Sequence, residues 1–299
     1  MVDRPSTPLA GDDAGSLMSW SHQGAVADEM CERLLGDVRF EAAARRLARG
    51  MLDAAAADPR VDGVFKDAGR YVVAMIAMLL HDSGGLTLPR LKDFCERSGF
   101  VSRSRARGML LYLRFLGYVE PGPREKGAPQ RFVPTASFEA AWAVQCAAAL
   151  EAAAVIEPTA GRVRRALSQE GVLAHFARIH AEQLFQSAAS TDETFAPELL
   201  HRHAGSHLIW LLVADEAESF PPVVAQPISV AGFARRFGVS RPHVRRLLQA
   251  GVEAGILRRV TDGAIAFSEA HTPGLRLFYA QQLVAVLSSA ALTLQALGL

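Results

Sequence analysis

The stretch Val101–Val119, VSRSRARGMLLYLRFLGYV, is written a second time at Val239–Leu257 as VSRPHVRRLLQAGVEAGIL. Aligned without a gap, Val101-Ser102-Arg103 falls on Val239-Ser240-Arg241 and Arg107 on Arg245. Met109-Leu110 falls on Leu247-Leu248 and Gly117 on Gly255, an offset of 138 residues. So long a period describes one unit present twice, not a short-period solenoid. The surroundings repeat as well. LTLPRLKDFCERSGF matches PISVAGFARRFG in pattern, RYVVAMIAMLL matches SHLIWLLVADE, and FEAAARRLARGML matches LAHFARIHAEQLF. Each copy closes in an Ala/Leu-rich helix, near 137–155 and 272–297. Each half therefore reads as helix, helix, short strand, helix, helix, two short strands, long helix. The halves meet near Ile156-Glu157-Pro158-Thr159, where Pro158 breaks one helix and Thr159 is placed to cap the next. The expected organisation is a disordered tail over 1–18, a first unit over 19–156 and a second over 157–299.

Local chemistry specifies the unit. In the second copy Ser229 can cap a short helix, VAGFARRFG, on which Phe233 and Phe237 are four apart and face one core. Gly238 permits a tight turn with positive φ. Ser240 caps the next helix by accepting from its free amides, and Pro242 is tolerated in the first turn. Val244, Leu247, Leu248 and Val252 hold that helix to the core, and Gly255 ends it. The segment ILRRVTDGAIAFS then reads as a hairpin turning at Asp262-Gly263. In the first copy the corresponding segment, YVEPGPREKGAPQRFVP, is longer and rich in Pro and Gly.

This order, the SR dipeptide opening the second helix of each pair, the glycine exit into a hairpin and the flanking long helices resemble the winged helix-turn-helix of MarR-type transcriptional regulators. The resemblance covers nearly all of residues 30–299 as a pattern. It implies a mainly α fold: two tandem winged helix-turn-helix lobes joined by long helices in a pseudo-twofold arrangement. MarR-type regulators form homodimers of chains about half this length. Two copies in one chain imply a monomer that acts as a pseudo-dimer, with double-stranded DNA as partner. The family also binds small aromatic or phenolic effectors between the long helices and the DNA-binding lobe. Candidate lining residues here are Tyr71, Trp142, Phe176, His207 and Trp210, although aromatics at helical spacing also serve as plain core.

Charge distribution bears on the same reading. The whole chain carries a net charge of only +1. Between Gly99 and Arg131, however, Arg103, Arg105, Arg107, Arg114, Arg124, Lys126 and Arg131 stand against Glu120 and Glu125, a net of +5. Between Ala231 and Asp262, Arg235, Arg236, Arg241, Arg245, Arg246, Arg258 and Arg259 stand against Glu253 and Asp262, again +5, leaving −9 elsewhere. Two such patches suit phosphate neutralisation. Recognition helices present their first turns to the major groove. Those turns carry Ser102, Arg103, Ser104, Arg105 and Arg107 in one copy, and Ser240, Arg241, Pro242, His243, Arg245 and Arg246 in the other. Arg124, Lys126, Arg131, Arg258 and Arg259 belong to the wings. Arginine there can bind guanine bidentately or a phosphate. Because Ser104-Arg105 becomes Pro242-His243, two non-identical half-sites, an imperfect palindrome, are expected. Winged helices also occur in protein-binding scaffolds and replication initiators, which remain the alternatives.

Other classes find less support. The sequence has no Walker loop, dinucleotide fingerprint, HExxH or GxSxG, so neither an enzyme nor a cofactor is expected. Cys31, Cys95 and Cys146 are dispersed, which argues against a disulfide framework and for reducing cytosol. The polar N-terminus lacks an apolar signal core. HRHAGSH at 201–207 puts His203 and His207 four apart, as on one helix face, but no metal site is expected without further ligands. Mean hydropathy is +0.13, and the uncharged run Leu277–Leu299 is long enough to span a bilayer. Scattered Gln, Ser and Thr, with no flanking basic cluster, favour a helix buried among others, with no membrane partner.

Overall fold

A computed structural model describes residues 24–97, 101–189, 195–214, 220–221, 226–260 and 264–298. The segment 1–18 and the Asp262-Gly263 turn lie outside the described residues. The chain is mainly helical, and the strands among the described residues form two small sheets.

The first half runs α1 (Gly24–Leu35), α2 (Phe40–Ala57), α3 (Pro59–Phe65), α4 (Ala68–Asp82), β1 (Leu86–Thr87), α5 (Leu88–Arg97), α6 (Arg103–Phe115), β2 (Val119–Pro121), β3 (Arg131–Pro134) and α7 (Ala136–Ile156). The second runs α8 (Ala160–Ala166), α9 (Val172–Ala189), α10 (Pro197–Leu200), α11 (Gly205–Val213), β4 (Gln226–Pro227), α12 (Val230–Arg236), α13 (Arg241–Glu253), β5 (Leu257–Arg259), β6 (Ala264–Phe267) and α14 (Thr272–Leu297). The segments matched in sequence thus occupy equivalent elements.

Each sheet is built alike. The hairpin strands pair antiparallel, Val119 with Pro134 and Leu257 with Phe267. The strand before the helix pair then adds to the hairpin's second strand, Leu86 opposite Phe132 and Gln226 opposite Ile265. The spatial orders β1-β3-β2 and β4-β6-β5 are the same.

The halves interlock instead of standing side by side. α2 packs along α7 and α9 along α14 within their own halves, while α9 also packs on α4 and α2 on α11. α14 reaches across to α1, α7 receives α8, and α7 and α14 touch each other. Arg276 on α14 clasps the first half, donating to Glu41 Oε1 (2.7 Å) and to the Leu35 carbonyl (3.4 Å). Glu151 on α7 accepts from Arg46 of α2 (2.9 Å) and pairs with Arg164 of α8 (2.6 Å). One apolar core runs through both halves.

Two details depart from the sequence reading. Thr159 precedes α8 but does not cap it: its hydroxyl donates to Glu157 Oε1 at 2.9 Å. With helical backbone angles (φ −63°, ψ −26°), its side chain does not reach the following amides. And α14 is not alone in being apolar and long enough to cross a membrane; α7 is too. Both also serve as packing surfaces for neighbouring helices.

Candidate nucleic-acid interface and central cavity

α6 and α13 are each thirteen residues long and begin on the same device. Ser102 Oγ accepts from the Arg105 amide and Ser240 Oγ from the His243 amide, both at 3.3 Å. Gly117 (φ +71°) and Gly255 (φ +73°) turn the chain out of them, a conformation that costs a side chain but not glycine. Their buried faces coincide under the 138-residue offset: Ala106, Met109, Leu110 and Leu113 match Val244, Leu247, Leu248 and Gly251. Each large member of this face contributes roughly 2 kcal/mol by leaving water. Behind α13, Phe233 and Phe237 meet edge to face at 4.6 Å, Ser229 caps α12 through the Gly232 amide, and Gly238 takes φ +60°.

The opposite faces are exposed. Arg103 and Arg107 on α6 match Arg241 and Arg245 on α13, with Ser104, Pro242 and Arg246 beside them, and all are exposed. Among the described residues no ion pair engages Arg107, Arg241, Arg245 or Arg246. Arg103 differs: its guanidinium lies 2.6 Å from Glu96 and 2.8 Å from Asp93, both on α5. α12 ends instead in Arg235 and Arg236. Arg124 and Lys126 project from the first hairpin and Arg258 from the second, all exposed.

Two residues expected on this surface are tied back to the body of the protein, Arg105 while remaining exposed and His243 while half-buried. Arg105 donates to Asp67 Oδ1 at 2.9 Å, and Asp67 itself is buried. Its counterpart His243 is half-buried, with Nε2 2.7 Å from the His203 carbonyl oxygen. Both occupy the third position of their helix, from which the side chain reaches the start of α4 or the segment before α11. Two hairpin residues are also engaged: Arg131 donates to the Gly84 carbonyl (2.8 Å) and Arg259 to Gln249 Oε1 (2.7 Å). Ser102 and Ser240 spend their hydroxyls on the caps.

Between the halves lies a cavity of about 210 Å³. Of the residues expected to line a pocket, Tyr71, Trp142 and Trp210 do. Phe176 and His207 do not: both are fully buried beside it. Phe176 stacks on His180 at 5.6 Å, and His207 packs on Phe237 at 4.6 Å with Nε2 3.0 Å from Asp62 Oδ1. Burial pushes the Asp62 carboxyl up, but the adjacent His207 and Lys66 outweigh it and hold its pKa below the ordinary value. Lys66 pairs with Asp62 at 2.8 Å and donates to the Phe237 carbonyl at 3.3 Å, tying the first half to the α12–α13 turn.

His203 and His207 do not share a helix face. His203 precedes α11, which starts at Gly205 after Ala204 in a left-handed conformation. Its Nδ1 lies 3.9 Å from Asp67 Oδ2. Among the described residues no group of three or more His, Cys, Asp or Glu side chains is placed to hold a metal ion. All three cysteines are buried and unbridged, and burial raises the Cys95 thiol to about 11.

The cavity also uses residues that the sequence reading passed over: Gln145, His180, Tyr279 and Gln282. A signal for one was present, since Gln145 interrupts the apolar face Phe138, Trp142, Ala149 of α7 at helical spacing. No family model, curated protein or solved structure matches this chain.

Proposed function

We propose that the chain is a sequence-specific DNA-binding regulator made of two winged helix-turn-helix units in a pseudo-twofold arrangement. α6 and α13 enter successive major grooves, and the hairpins β2–β3 and β5–β6 lie on the flanking backbone or minor groove. One observation carries this reading: two helices of equal length, with the same serine cap and the same buried face, expose arginines at the same two positions. A merely solvated basic run has no reason to recur in register. The i, i+4 spacing of each pair puts both guanidinium groups on one face.

The heads are not equivalent. Arg103 is paired with the carboxylates of α5, whereas among the described residues no ion pair engages Arg241, and α12 ends in two arginines. They therefore read related but unlike half-sites. Selection of binding sites from random duplex DNA with the full chain tests this, followed by titration at two salt concentrations. A two-part, imperfectly symmetric site with steeply salt-dependent affinity is expected. A perfectly symmetric site would overturn the unlike half-sites, and no salt-dependent DNA binding would overturn the reading as a whole. The second outcome would favour a protein-binding scaffold, for which Phe115, 83% exposed near the end of α6, offers an apolar contact.

A further inference from the structure

α7 and α14 match at an offset of 137 residues, at which Phe138, Cys146, Ala149 and Ala153 fall on Leu275, Leu283, Val286 and Ala290, all buried. The same offset sets Trp142 against Tyr279 and Gln145 against Gln282, and all four line the central cavity. The two halves thus contribute equivalent side chains to one shared chamber.

Its walls carry polar atoms that no described residue satisfies. Gln145 is 4% exposed, Trp142 1% and Tyr279 0%. Both ends of the Gln145 carboxamide, the Trp142 indole Nε1 and the Tyr279 hydroxyl are buried without a hydrogen-bond partner. Leaving such a group unpaired is unfavourable, and well-packed cores avoid it. Here three such side chains converge on one space. The rest of the lining is mostly apolar, including Met51, Phe65 and Leu184, contains no Lys, Arg, Asp or Glu, and has two imidazoles, the enclosed His180 and the exposed His201. Burial pushes the His180 imidazole down to about 4, so it too is neutral near pH 7. Tyr71 and Trp142 lie nearly parallel, 15° apart with centroids at 5.7 Å, and form a flat wall.

We propose that this cavity binds one uncharged, ring-bearing molecule per chain through a carboxamide- or lactam-type edge held by Gln145. The edge gives its N–H to Gln145 Oε1 and accepts from Nε2, while the ring lies along the aromatic wall. The chamber's 210 Å³ exceeds the roughly 150 Å³ that accommodates benzene, which leaves room for one ring and a small polar group. A carboxylate of the same shape is disfavoured because it would be desolvated with no Lys or Arg on the walls and with the enclosed imidazole, His180, neutral.

This rests on the cavity alone and is tested without DNA, so it stands or falls apart from the regulator reading. The full chain is titrated calorimetrically with benzamide, 2-pyridone, benzoate and toluene near pH 7.5. The two amides should bind one per chain, at least about tenfold tighter than benzoate. Gln145→Met should bind both amides about tenfold more weakly, keep its affinity for toluene, and melt at or above the wild-type temperature because an unpaired buried amide is gone. A Gln145 that merely supports the fold would instead give a lower melting temperature and an unchanged preference for amides. Benzoate binding as tightly as benzamide, two molecules per chain, or no binding by either amide at millimolar concentration would overturn the proposal. If Gln145→Met does not fold, the wild-type ranking of the four probes decides alone.

Discussion

The Asp67 carboxylate stands between the two halves, with Oδ1 accepting from Arg105 of α6 at 2.9 Å and Oδ2 3.9 Å from Nδ1 of His203. The His203 carbonyl in turn faces His243 of α13 at 2.7 Å. A run of polar contacts therefore links the third residue of one exposed basic helix to the third residue of the other. Asp67 also caps α4 by accepting from the Arg70 amide. Asp67→Ala removes the cap and the charge together and should lower stability by about 2 kcal/mol. Asp67→Asn keeps an acceptor for the cap and should lose about half of that. Urea unfolding of both variants checks this, and equal losses would show that the charge contributes nothing.

Arg241→Ala should weaken specific DNA binding by about 1–3 kcal/mol. Arg103→Ala should cost less, because Arg103 must first give up Glu96 and Asp93. Replacing those two carboxylates by alanine should tighten binding and raise its salt dependence. Titrations at fixed salt with one selected site measure all three; unchanged affinity for both arginine variants would remove the docking geometry.

Acid should destabilise the protein through His180. Its folded pKa lies at about 4 against an ordinary 6.5. Between these values the unfolded chain holds a proton there that the folded chain does not. Stability from this residue is therefore present above pH 6.5 and is lost as pH falls toward 4. From pH 7.5 to 5 the loss is about 2 kcal/mol. His180→Leu should flatten that part of the pH profile. Urea midpoints of variant and wild type across the range measure the difference, which would vanish if His180 titrated normally.

Gly205 and Gly108 should respond oppositely to alanine. A Cβ at Gly205 would run into the Leu199 carbonyl oxygen, whereas at Gly108, on the exposed side of α6, it meets nothing. Gly205→Ala should cost roughly 3 kcal/mol and loosen α13, which rests on Leu199. Gly108→Ala should gain about 0.5–1 kcal/mol from helix propensity. Melting temperatures give both signs.

What could be read from the sequence was local. The serine at the head of each helix, the glycines leaving it and the spacing of Val244, Leu247 and Leu248 act within a few residues, and the matching elements follow from them. Arg105 could not be placed this way. Its partner Asp67 lies 38 residues away, and a helical position near the N-terminus can turn outward or back depending on what packs behind it. His203 was drawn onto a helix by its spacing from His207, but the left-handed Ala204 interrupts that spacing. The exchange of helices between halves was also hidden, because an apolar face does not state which half will cover it. Gln145 interrupts an apolar stripe, but its place in a chamber depends on α14, which brings Tyr279 and Gln282 around the same space.

The clasp of Arg276 on Leu35 and Glu41 joins positions more than two hundred residues apart. During synthesis, α1 leaves the ribosome long before α14, the helix that covers it, has been made. Until then the first half carries bare apolar faces on α1 and α2 that no element of its own can close. Contacts of such long sequence separation slow folding and lengthen exposure to aggregation. The second half meets no such wait, because α7 is already in place when α8 emerges. Two copies of one unit thus have unequal histories in a single chain, and the earlier copy is the one whose apolar surface stays uncovered longer.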